Sequence, residues 1–333
     1  MILFLSSADQ LAAAKKALTA LGLEHSFHAS ESPFFEVKTA SSVLSEEQIK
    51  KELSRFGKIA GNSASKTPLL DELKNEYSVD VPCASAQNGM LRFQSNPKQP
   101  IWIAGPCALE TPETLHLVAK SLSALGIKVL RGGALKPRTS PHDFQGVGQN
   151  GYRWLAETAH QHGMVAISEA LSETDVESAF EYLDIVQIGA RNMQNFALLK
   201  KIAEGRKPVI LKRGPGATLK EWALAAEYLL KGGNSQVILC ERGVRGLEKE
   251  LRYTLDFAGA AWMQMRFHLP VVIDPSHATG SKALLPACTA ATLAMGFAGV
   301  MLETHPEPVE SKSDSLQALR LEEFREIYSR FQS

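Results

Sequence analysis

Short apolar runs recur along residues 101–303, and segments with apolar residues at helical spacing separate them. Each run has the length of a buried strand, and several of the intervening segments end at glycine, as helices often do. The runs cover residues 101–104, 128–130, 164–168, 185–189, 209–211, 236–240, 271–273 and 300–302. The helical patterns cover residues 112–125, 152–162, 173–182, 194–204, 219–231, a segment after Arg252, 282–295 and 320–331. Eight strands alternating with helices predict an α/β fold, a (β/α)8 TIM barrel over residues 96–333, in which all strand carboxyl ends meet on one face.

The first 62 residues follow a different pattern. We predict a strand at 2–5, a helix up to residue 21, two strands at 24–28 and 34–38 around a turn at 31–33, a helix at 46–56 that Ser45 caps, and a strand at 58–60. The order βαββαβ predicts a small ferredoxin-like α+β domain over residues 1–62. Residues 63–95 are expected to be a linker, with a short helix at 68–77 and a strand at 90–93 that pairs with 101–103 at the barrel floor.

Composition excludes several classes of partner. The formal net charge is zero and no basic tail is present, so neither nucleic acid nor a membrane surface is an expected partner. The first ten residues, MILFLSSADQ, lack the basic region of a signal peptide, and no apolar stretch reaches the roughly 18 residues of a membrane span. Four widely spaced cysteines, Cys83, Cys107, Cys240 and Cys288, indicate a reduced, cytoplasmic protein.

Basic residues gather at the predicted strand ends although the whole chain is neutral. They are Arg131, Lys136, Arg138, Arg191, Lys212 and Arg242. Because like charges around one opening repel each other, this ring indicates an anionic ligand with two phosphates, or with a phosphate and a carboxylate. Gly132 and Gly133 would let the backbone approach that ligand closely.

Possible metal ligands follow other strands of the same predicted barrel. Cys107 follows the first strand, His277 follows the seventh, Glu303 ends the eighth and Asp314 lies in the loop after it. Thiolate, imidazole and carboxylate ligands together suit a divalent ion such as Mn, Fe, Co or Zn. His142 and His305 are secondary candidates in loops of this face.

Three further carboxylates, Glu169, Glu241 and Asp274, end strands three, six and seven. They could orient a lysine or arginine, hold a water molecule for proton transfer, or balance the nearby positive charges. The sequence leaves these alternatives open, and Glu169 has no assigned role.

Several segments of the barrel region resemble 3-deoxy-D-arabino-heptulosonate-7-phosphate (DAHP) synthases of the type I-beta branch. They are IAGPCALE (103–110), LRGGALKPRTSPHDFQGVG (130–148), QIGARNMQNF (187–196), LKRG (211–214), ILCERGVR (238–245), DPSHATG (274–280) and LETHPEP (302–308). One departure lies at KSDSLQAL (312–319), where relatives usually carry glycine after the aspartate.

The resemblance implies a metal-dependent condensation of phosphoenolpyruvate with erythrose 4-phosphate, the first step of the shikimate pathway to aromatic amino acids. It implies that Cys107, His277, Glu303 and Asp314 bind the metal, and that Lys136 donates a proton to the new alkoxide. Phosphoenolpyruvate would contact Arg131, Lys136, Arg191, Lys212, Arg242 and the backbone N–H of Ala190. Lys136, Arg138 and Thr139 belong to a KPRT motif that is similar to the erythrose 4-phosphate site of the family. Relatives with a ferredoxin-like front domain are inhibited by tyrosine or phenylalanine and form homodimers or homotetramers, so both properties are expected here.

Two alternatives remain beside this prediction. A 3-deoxy-D-manno-octulosonate-8-phosphate synthase would share the barrel and the chemistry, but that family typically has a K-x-N-R-S pattern where this chain has KPRTS. A non-catalytic sugar-phosphate-binding regulator would have gaps in the ligand set, and the sequence has none.

Overall fold

The computed structural model describes residues 1–29, 33–39, 44–60, 65–73, 77–247 and 249–332. Within these residues the chain forms a closed eight-stranded parallel barrel, a four-stranded antiparallel sheet before it and a two-stranded sheet between the two. The predicted α/β barrel with a small α+β front domain is therefore confirmed. The predicted turn at 31–33 lies mostly outside the described residues.

The front sheet has the ferredoxin-like strand order β2-β3-β1-β4, with every neighbouring pair antiparallel. Ser45 caps its second helix, since the Ser45 side chain accepts from the Gln48 backbone and the Gln48 side chain accepts from the Ser45 backbone. Leu3, Leu18 and Phe35 are completely buried between the sheet and the helices. Its elements are β1 (Ile2–Leu5), α1 (Leu11–Ala20), β2 (Glu24–His28), β3 (Phe34–Lys38), α2 (Glu46–Leu53) and β4 (Gly57–Ala60).

The linker differs from the prediction. Strand β6 (Met90–Gln94) pairs with β5 (Ser78–Pro82), a strand that we did not predict, and not with residues 101–103. The alternation of Ser78–Pro82 directs Val79 and Val81 into the core, whereas both edges of residues 101–105 are occupied by barrel neighbours. The predicted helix at 68–77 is reduced to a 3-10 turn at Leu70–Glu72, and residues 74–76 lie outside the described ranges.

Eight parallel strands close the barrel in sequence order. They are β7 (Ile101–Gly105), β8 (Val129–Arg131), β9 (Val165–Ala170), β10 (Ile185–Ile188), β11 (Val209–Lys212), β12 (Val237–Glu241), β13 (Val271–Ile273) and β14 (Gly299–Glu303). The helices around them are α3 (Pro112–Ala124), α4 (Asn150–Gln161), α5 (Val176–Tyr182), α6 (Phe196–Glu204), α7 (Leu219–Lys231), α8 (Phe257–Phe267), α9 (Pro275–Thr279), α10 (Leu285–Ala294) and α11 (Leu321–Ser329). The short helix α9 was not predicted, and it carries His277. Gly105 has a φ of 150°, and a Cβ there would meet the Arg131 carbonyl oxygen at 2.0 Å, so only glycine fits at this strand end.

The β5–β6 hairpin seals the amino-terminal end of the barrel. Val79, Val81 and Phe93 are fully buried and pack against inward-facing barrel side chains such as Ile103 and Val165. Because this end is closed by apolar packing, the carboxyl end of the strands is the end at which ligands can enter.

The front domain and the linker contact the outside of the barrel at helix α7. Lys231 pairs with Glu36 at 2.8 Å, and the buried Glu227 carboxylate accepts hydrogen bonds from the backbone N–H groups of Leu69 at 2.8 Å and Leu70 at 3.0 Å. Among the described residues, no helix combines the length and the apolar character needed to cross a bilayer.

Candidate active site

Four predicted metal ligands meet at the carboxyl end of the barrel. One ligand atom from each of Cys107, His277, Glu303 and Asp314 lies within 4.8 Å of all the others. The Cys107 Sγ is 3.0 Å from Asp314 Oδ2, and His277 Nε2 is 3.1 Å from Glu303 Oε1. Both Cys107 and Glu303 are buried, since Glu303 ends β14 and Cys107 follows the adjacent strand β7 by two residues.

The local sequence around His277 fixes the orientation of its ring. Asp274 caps helix α9 by accepting the His277 backbone N–H at 3.1 Å, and Pro275 provides the fixed φ of the first helical position. The second Asp274 oxygen lies 2.8 Å from His277 Nδ1 and accepts Lys212 Nζ at 2.7 Å. With Nδ1–H donated to the carboxylate, Nε2 points toward the other three ligands, and a bound metal would take the place of the proton on this nitrogen.

The potential at this group favours a cation. Burial by itself would lower the pKa of His277, but the charges of Asp274 and Glu303 raise it to about 10. The pKa of Glu303 stays well below its usual value in spite of burial, because His277 and Arg131 stabilise the carboxylate. A buried negative potential with one sulfur, one nitrogen and two carboxylates fits a divalent transition ion.

A second layer of side chains holds these ligands. Glu303 accepts Arg131 Nη1 at 2.9 Å and Gln317 Nε2 at 2.7 Å. Arg252 Nη1 donates to Asp314 Oδ1 at 3.0 Å and to Gln317 Oε1 at 2.7 Å. Lys136 Nζ lies 3.0 Å from the Cys107 Sγ, so a mobile proton donor stands beside the ligand group.

Carboxylates already neutralise part of the predicted cation ring. Within the ring, Arg131 pairs with Glu303 and Lys212 pairs with Asp274. Arg213, which was not among the predicted residues, pairs with Glu241 at 3.0 Å. Glu241 and Asp274 therefore orient cations, which was one of the open alternatives. Within the part of the chain that the structure describes, no carboxylate forms an ion pair with the other four cations, which are Lys136, Arg138, Arg191 and Arg242. These four are the groups available to an anionic ligand.

A family model described as the DAHP synthetase I family matches residues 89–332. The chain is 49% identical over 225 residues to the phospho-2-dehydro-3-deoxyheptonate aldolase of Thermotoga maritima. The aligned region covers 68% of this chain and 67% of the relative.

The chain belongs to the DAHP synthetase I family. It is thus an enzyme, as the sequence predicted, while the type I-beta branch stays a prediction. The crystal structure of the phospho-2-dehydro-3-deoxyheptonate aldolase (DAHP synthase) of Thermotoga maritima superposes with a TM-score of 0.76 and 35% identity, over 99% of this chain and 95% of that chain. The 2-dehydro-3-deoxyphosphooctonate aldolase of Thiobacillus denitrificans is more distant, at 26% identity over 72% of this chain and 91% of the relative.

Arg242, Arg138 and Thr139 are three further residues that the sequence predicted to contact substrate. Arg242 donates to the His277 carbonyl oxygen at 2.9 Å, and its guanidinium lies 4.2 Å from the centre of the Tyr253 ring. Arg138 donates its Nε–H to the Phe144 carbonyl oxygen at 3.1 Å, and its buried Nη2 has no partner among the described residues. The neighbouring Thr139 is exposed.

Ala190 and Arg191 form the start of a 3-10 turn after β10. They line a cavity of about 230 Å³ together with Gly214, Pro215 and Gly216. Within the described residues, no hydrogen bond joins the metal-ligand group to Ala190, Arg191, Arg138 or Thr139.

Glu169 and the two secondary histidine candidates, His305 and His142, do not belong to the metal-ligand group. Glu169 packs against the backbone of Gly189, where a Cβ would meet Glu169 Oε1 at 1.9 Å, and its other oxygen is 3.3 Å from Gln187 Nε2. His305 is buried and accepts the Glu307 backbone N–H at 3.1 Å. His142 is exposed in the loop after β8.

Sequence reasoning missed Arg213, Arg252, Gln317 and Ser313. Arg213 directly follows the predicted Lys212, and the strand-end pattern could have included it. Ser313, whose Oγ is 3.1 Å from the Cys107 Sγ, lies in an irregular loop, as do Arg252 and Gln317. Because such loops have no periodicity, no sequence signal indicates which way their side chains point.

Proposed function

We propose that this chain condenses phosphoenolpyruvate with erythrose 4-phosphate to form DAHP and phosphate, as a member of the DAHP synthase family. The observation that carries the proposal is a group of four ligand atoms within 4.8 Å of one another, on a barrel face that also carries four basic side chains without a carboxylate partner in the described residues. An open metal site next to uncompensated cations suits an aldehyde acceptor and two phosphorylated substrates.

Cys107, His277, Glu303 and Asp314 would hold a divalent ion, for which Mn, Fe, Co and Zn are the candidates. When bound, such an ion would act as a Lewis acid toward the aldehyde carbonyl. Asp274 and Gln317 would keep His277 and Glu303 oriented toward it through their hydrogen bonds of 2.8 Å and 2.7 Å.

The cations would bind phosphoenolpyruvate and lower the repulsion between the two anionic substrates. Arg191, the backbone N–H of Ala190 and Arg242 would contact the phosphate, and Lys212 and Arg131 the carboxylate. Arg131 retains a buried Nε without a partner in the described residues, so it has a donor to offer although Glu303 occupies Nη1. Arg138 and Thr139 would bind the phosphate of erythrose 4-phosphate.

Lys136 is positioned to move the proton. In the reaction, C3 of phosphoenolpyruvate bonds to the aldehyde carbon, and the oxygen of the former aldehyde takes a proton from Lys136. Water then adds at C2, and cleavage of the C–O bond releases phosphate. The ammonium of Lys136 lies 3.0 Å from Cys107 Sγ and 3.1 Å from the Cys107 carbonyl oxygen, which keeps it at the ligand group without neutralising it by a carboxylate.

The test is phosphate release from phosphoenolpyruvate with erythrose 4-phosphate or with arabinose 5-phosphate as acceptor. We expect turnover with erythrose 4-phosphate, its loss in EDTA and its recovery when Mn²⁺ is added back. A preference for arabinose 5-phosphate would favour the octulosonate synthase alternative, and turnover that EDTA does not change would contradict the metal site.

We also propose that the front domain, residues 1–62, mediates feedback inhibition by tyrosine or phenylalanine. Its support is the direct contact with barrel helix α7, through Glu36 and Lys231 at 2.8 Å, which gives a physical connection between the two parts. Inhibition should be lost when residues 1–62 are deleted and the barrel remains active. Unchanged inhibition of that shortened chain would contradict a regulatory role.

A homo-oligomer, either a dimer or a tetramer, is a further part of the proposal. Helix α10 contains no charged residue, and Leu284 and Met295 at its ends are exposed. On α8, Trp262 and Met265 are 46% and 70% exposed. Such apolar faces are typical of contact surfaces between subunits. Light scattering should show an assembly that Met265→Glu weakens; a monomer in the unmodified protein would contradict the proposal.

The free cysteines support a reducing compartment, and we propose the cytoplasm. A fluorescent fusion that fractionates with periplasmic or extracellular markers would contradict this location.

A further inference from the structure

Arg252 connects two loops of the active face. It lies in the loop between β12 and α8, and its Nη1 donates to Asp314 Oδ1 at 3.0 Å and to Gln317 Oε1 at 2.7 Å in the loop after β14. Gln317 in turn donates its Nε2–H to Glu303 Oε2 at 2.7 Å. One guanidinium nitrogen therefore contacts one proposed metal ligand directly and supports a second through Gln317.

Asp314 depends on this contact. Its φ of 52° lies in the left-handed region, which aspartate adopts more readily than most residues with a Cβ but still at a cost that surrounding contacts must offset. Within the described residues, the side-chain partners of its carboxylate are Cys107 at 3.0 Å and Arg252 at 3.0 Å. Removing Arg252 would leave Cys107 as the remaining support.

The Arg252 loop also carries Arg242, one of the four cations without a carboxylate partner. The two ends of this loop are joined by backbone hydrogen bonds of 2.9 Å in both directions between Val244 and Thr254. Tyr253, the neighbour of Arg252, packs against the Arg242 guanidinium. The Arg242 Cζ lies 4.2 Å from the centre of the Tyr253 ring. A displacement of Arg242 toward a bound anion therefore moves the segment that holds Arg252.

We propose that Arg252 is a positioning residue that couples anion binding at Arg242 to the arrangement of the metal ligands Asp314 and Glu303. This inference rests on the proposed function of the same site. An anion bound at Arg242 stabilises the arrangement of the loop in which Arg252 contacts Asp314 and Gln317, and this raises the affinity for the metal. Since linkage is reciprocal, the metal raises the affinity for the anion by the same factor.

The test uses the full chain and Co²⁺, whose bond to the Cys107 thiolate gives a charge-transfer absorption that reports binding without turnover. Co²⁺ is titrated with and without phosphoenolpyruvate, and phosphoenolpyruvate is titrated calorimetrically with and without Co²⁺. In the unmodified protein we expect each ligand to raise the affinity for the other by the same factor, about 5- to 150-fold for an ordinary allosteric coupling.

In Arg252→Gln we expect Co²⁺ affinity to fall about 10- to 100-fold, as for other changes just outside a metal's ligands, and the mutual enhancement to disappear. Arg252→Lys, which keeps the charge but not the two-acceptor geometry, should restore part of the enhancement. Arg245→Gln is the matched control, because Arg245 is an exposed arginine of the same loop and its replacement removes the same charge. It should leave the coupling factor unchanged.

Equal coupling factors in the unmodified protein and in Arg252→Gln would overturn the inference, and so would loss of coupling in Arg245→Gln to the same extent. If Arg252→Gln does not fold by circular dichroism, Gln317→Met decides instead, because it removes the contacts to Arg252 and Glu303 at constant side-chain length. Failure of the unmodified protein to bind Co²⁺ at Cys107 would contradict the proposed function itself, whereas binding of both ligands without mutual enhancement would contradict this inference alone.

Discussion

The two ends of the barrel bury side chains of opposite kinds. At the amino-terminal end, Val79, Val81 and Phe93 of the β5–β6 hairpin are fully buried against apolar barrel residues. At the carboxyl end, Arg131 and Lys212 are each 4% exposed and Glu303 is completely buried. Burial of apolar side chains stabilises a fold, whereas burial of charges costs free energy that pairing recovers only in part. The amino-terminal end therefore contributes stability, whereas the carboxyl end contributes less stability and carries the chemical groups of the site.

The carboxyl end remains folded because ion pairs offset part of the free energy that burial of its charges costs. Three buried cations, Arg131, Lys212 and Arg213, each have a carboxylate at hydrogen-bond distance, from 2.7 Å for Lys212 and Asp274 to 3.0 Å for Arg213 and Glu241. Removing one member of such a pair leaves its partner buried and unpaired, which is more costly than replacing both. Such a change should therefore lower stability as well as function, whereas replacing Cys107 or Lys136, which belong to none of these pairs, should alter function first. Mutations at the floor should alter stability first.

The largest effect is expected from Cys107→Ala. Loss of the thiolate should abolish metal-dependent turnover and the thiolate absorption of a Co²⁺-loaded sample, while the thermal unfolding midpoint changes little. Cys240→Ala is the control, since Cys240 is a fully buried thiol of the same barrel whose pKa is raised strongly by burial, as expected for a packing residue. Full activity of Cys107→Ala without added metal would reject the ligand assignment.

Lys136→Ala should lower kcat about 10²- to 10⁴-fold, the usual contribution of a general acid, with a much smaller loss of phosphoenolpyruvate affinity. Single-turnover phosphate release and calorimetric binding separate the two quantities. Lys128→Ala removes a lysine at the floor, where its Nζ contacts the Ser85 carbonyl oxygen, and should leave kcat unchanged. A Lys136 variant with a binding defect and a normal kcat would contradict the proton-donor role.

Phe93→Ala tests how much the amino-terminal end of the barrel contributes to stability. Truncating this fully buried ring should lower the free energy of unfolding by about 3–5 kcal/mol, because it leaves a cavity beneath the barrel. Chemical denaturation measures the loss, and Phe93→Leu should cost much less. The kcat of the folded Phe93→Ala protein should stay at its original value; a parallel fall in kcat would show that the two ends are not independent.

The smallest effect concerns Glu227, a buried carboxylate that has no cation at hydrogen-bond distance among the described residues. Burial raises its pKa to about 7, although the backbone N–H groups of Leu69 and Leu70 oppose the shift, whereas the pKa of Glu303 is lowered by His277 and Arg131. The folded protein then holds this proton up to about pH 7, while the unfolded chain releases it near the ordinary pKa of about 4.5. Stability contributed by protonated Glu227 is present at low pH and is lost as the pH rises from about 4.5 through 7, by at most about 3 kcal/mol.

The measurement is the free energy of unfolding against pH for the unmodified protein and for Glu227→Gln. The difference between the two curves should slope between pH 4.5 and 7 and be flat above. Hydrogen exchange at Leu69 and Leu70 should also speed up in the variant, since the Gln amide cannot accept both N–H groups. A difference curve without slope would contradict the raised pKa.

The strand ends are the part of the site that could be predicted from the sequence. Cys107, Lys212 and Glu303 were predicted because parallel strands of a barrel bring their carboxyl ends to one face, and this follows from periodicity alone. His277 was predicted from its position after β13, although the helix that orients its ring was not. The pairing of β6 was wrong, since local alternation identifies a strand but does not choose its partner.

The sequence by itself determined the two folds, their order along the chain and the types of chemical group on one face. Those properties depend on local periodicity and on strand direction, which neighbouring residues encode. The tertiary structure alone decided which charges neutralise each other, as for Arg213 with Glu241, and which loop residues hold the ligands, as for Arg252 and Gln317 with Asp314 and Glu303. Those choices depend on distances between residues far apart in the chain, and irregular loops leave no periodic signal from which such distances can be derived.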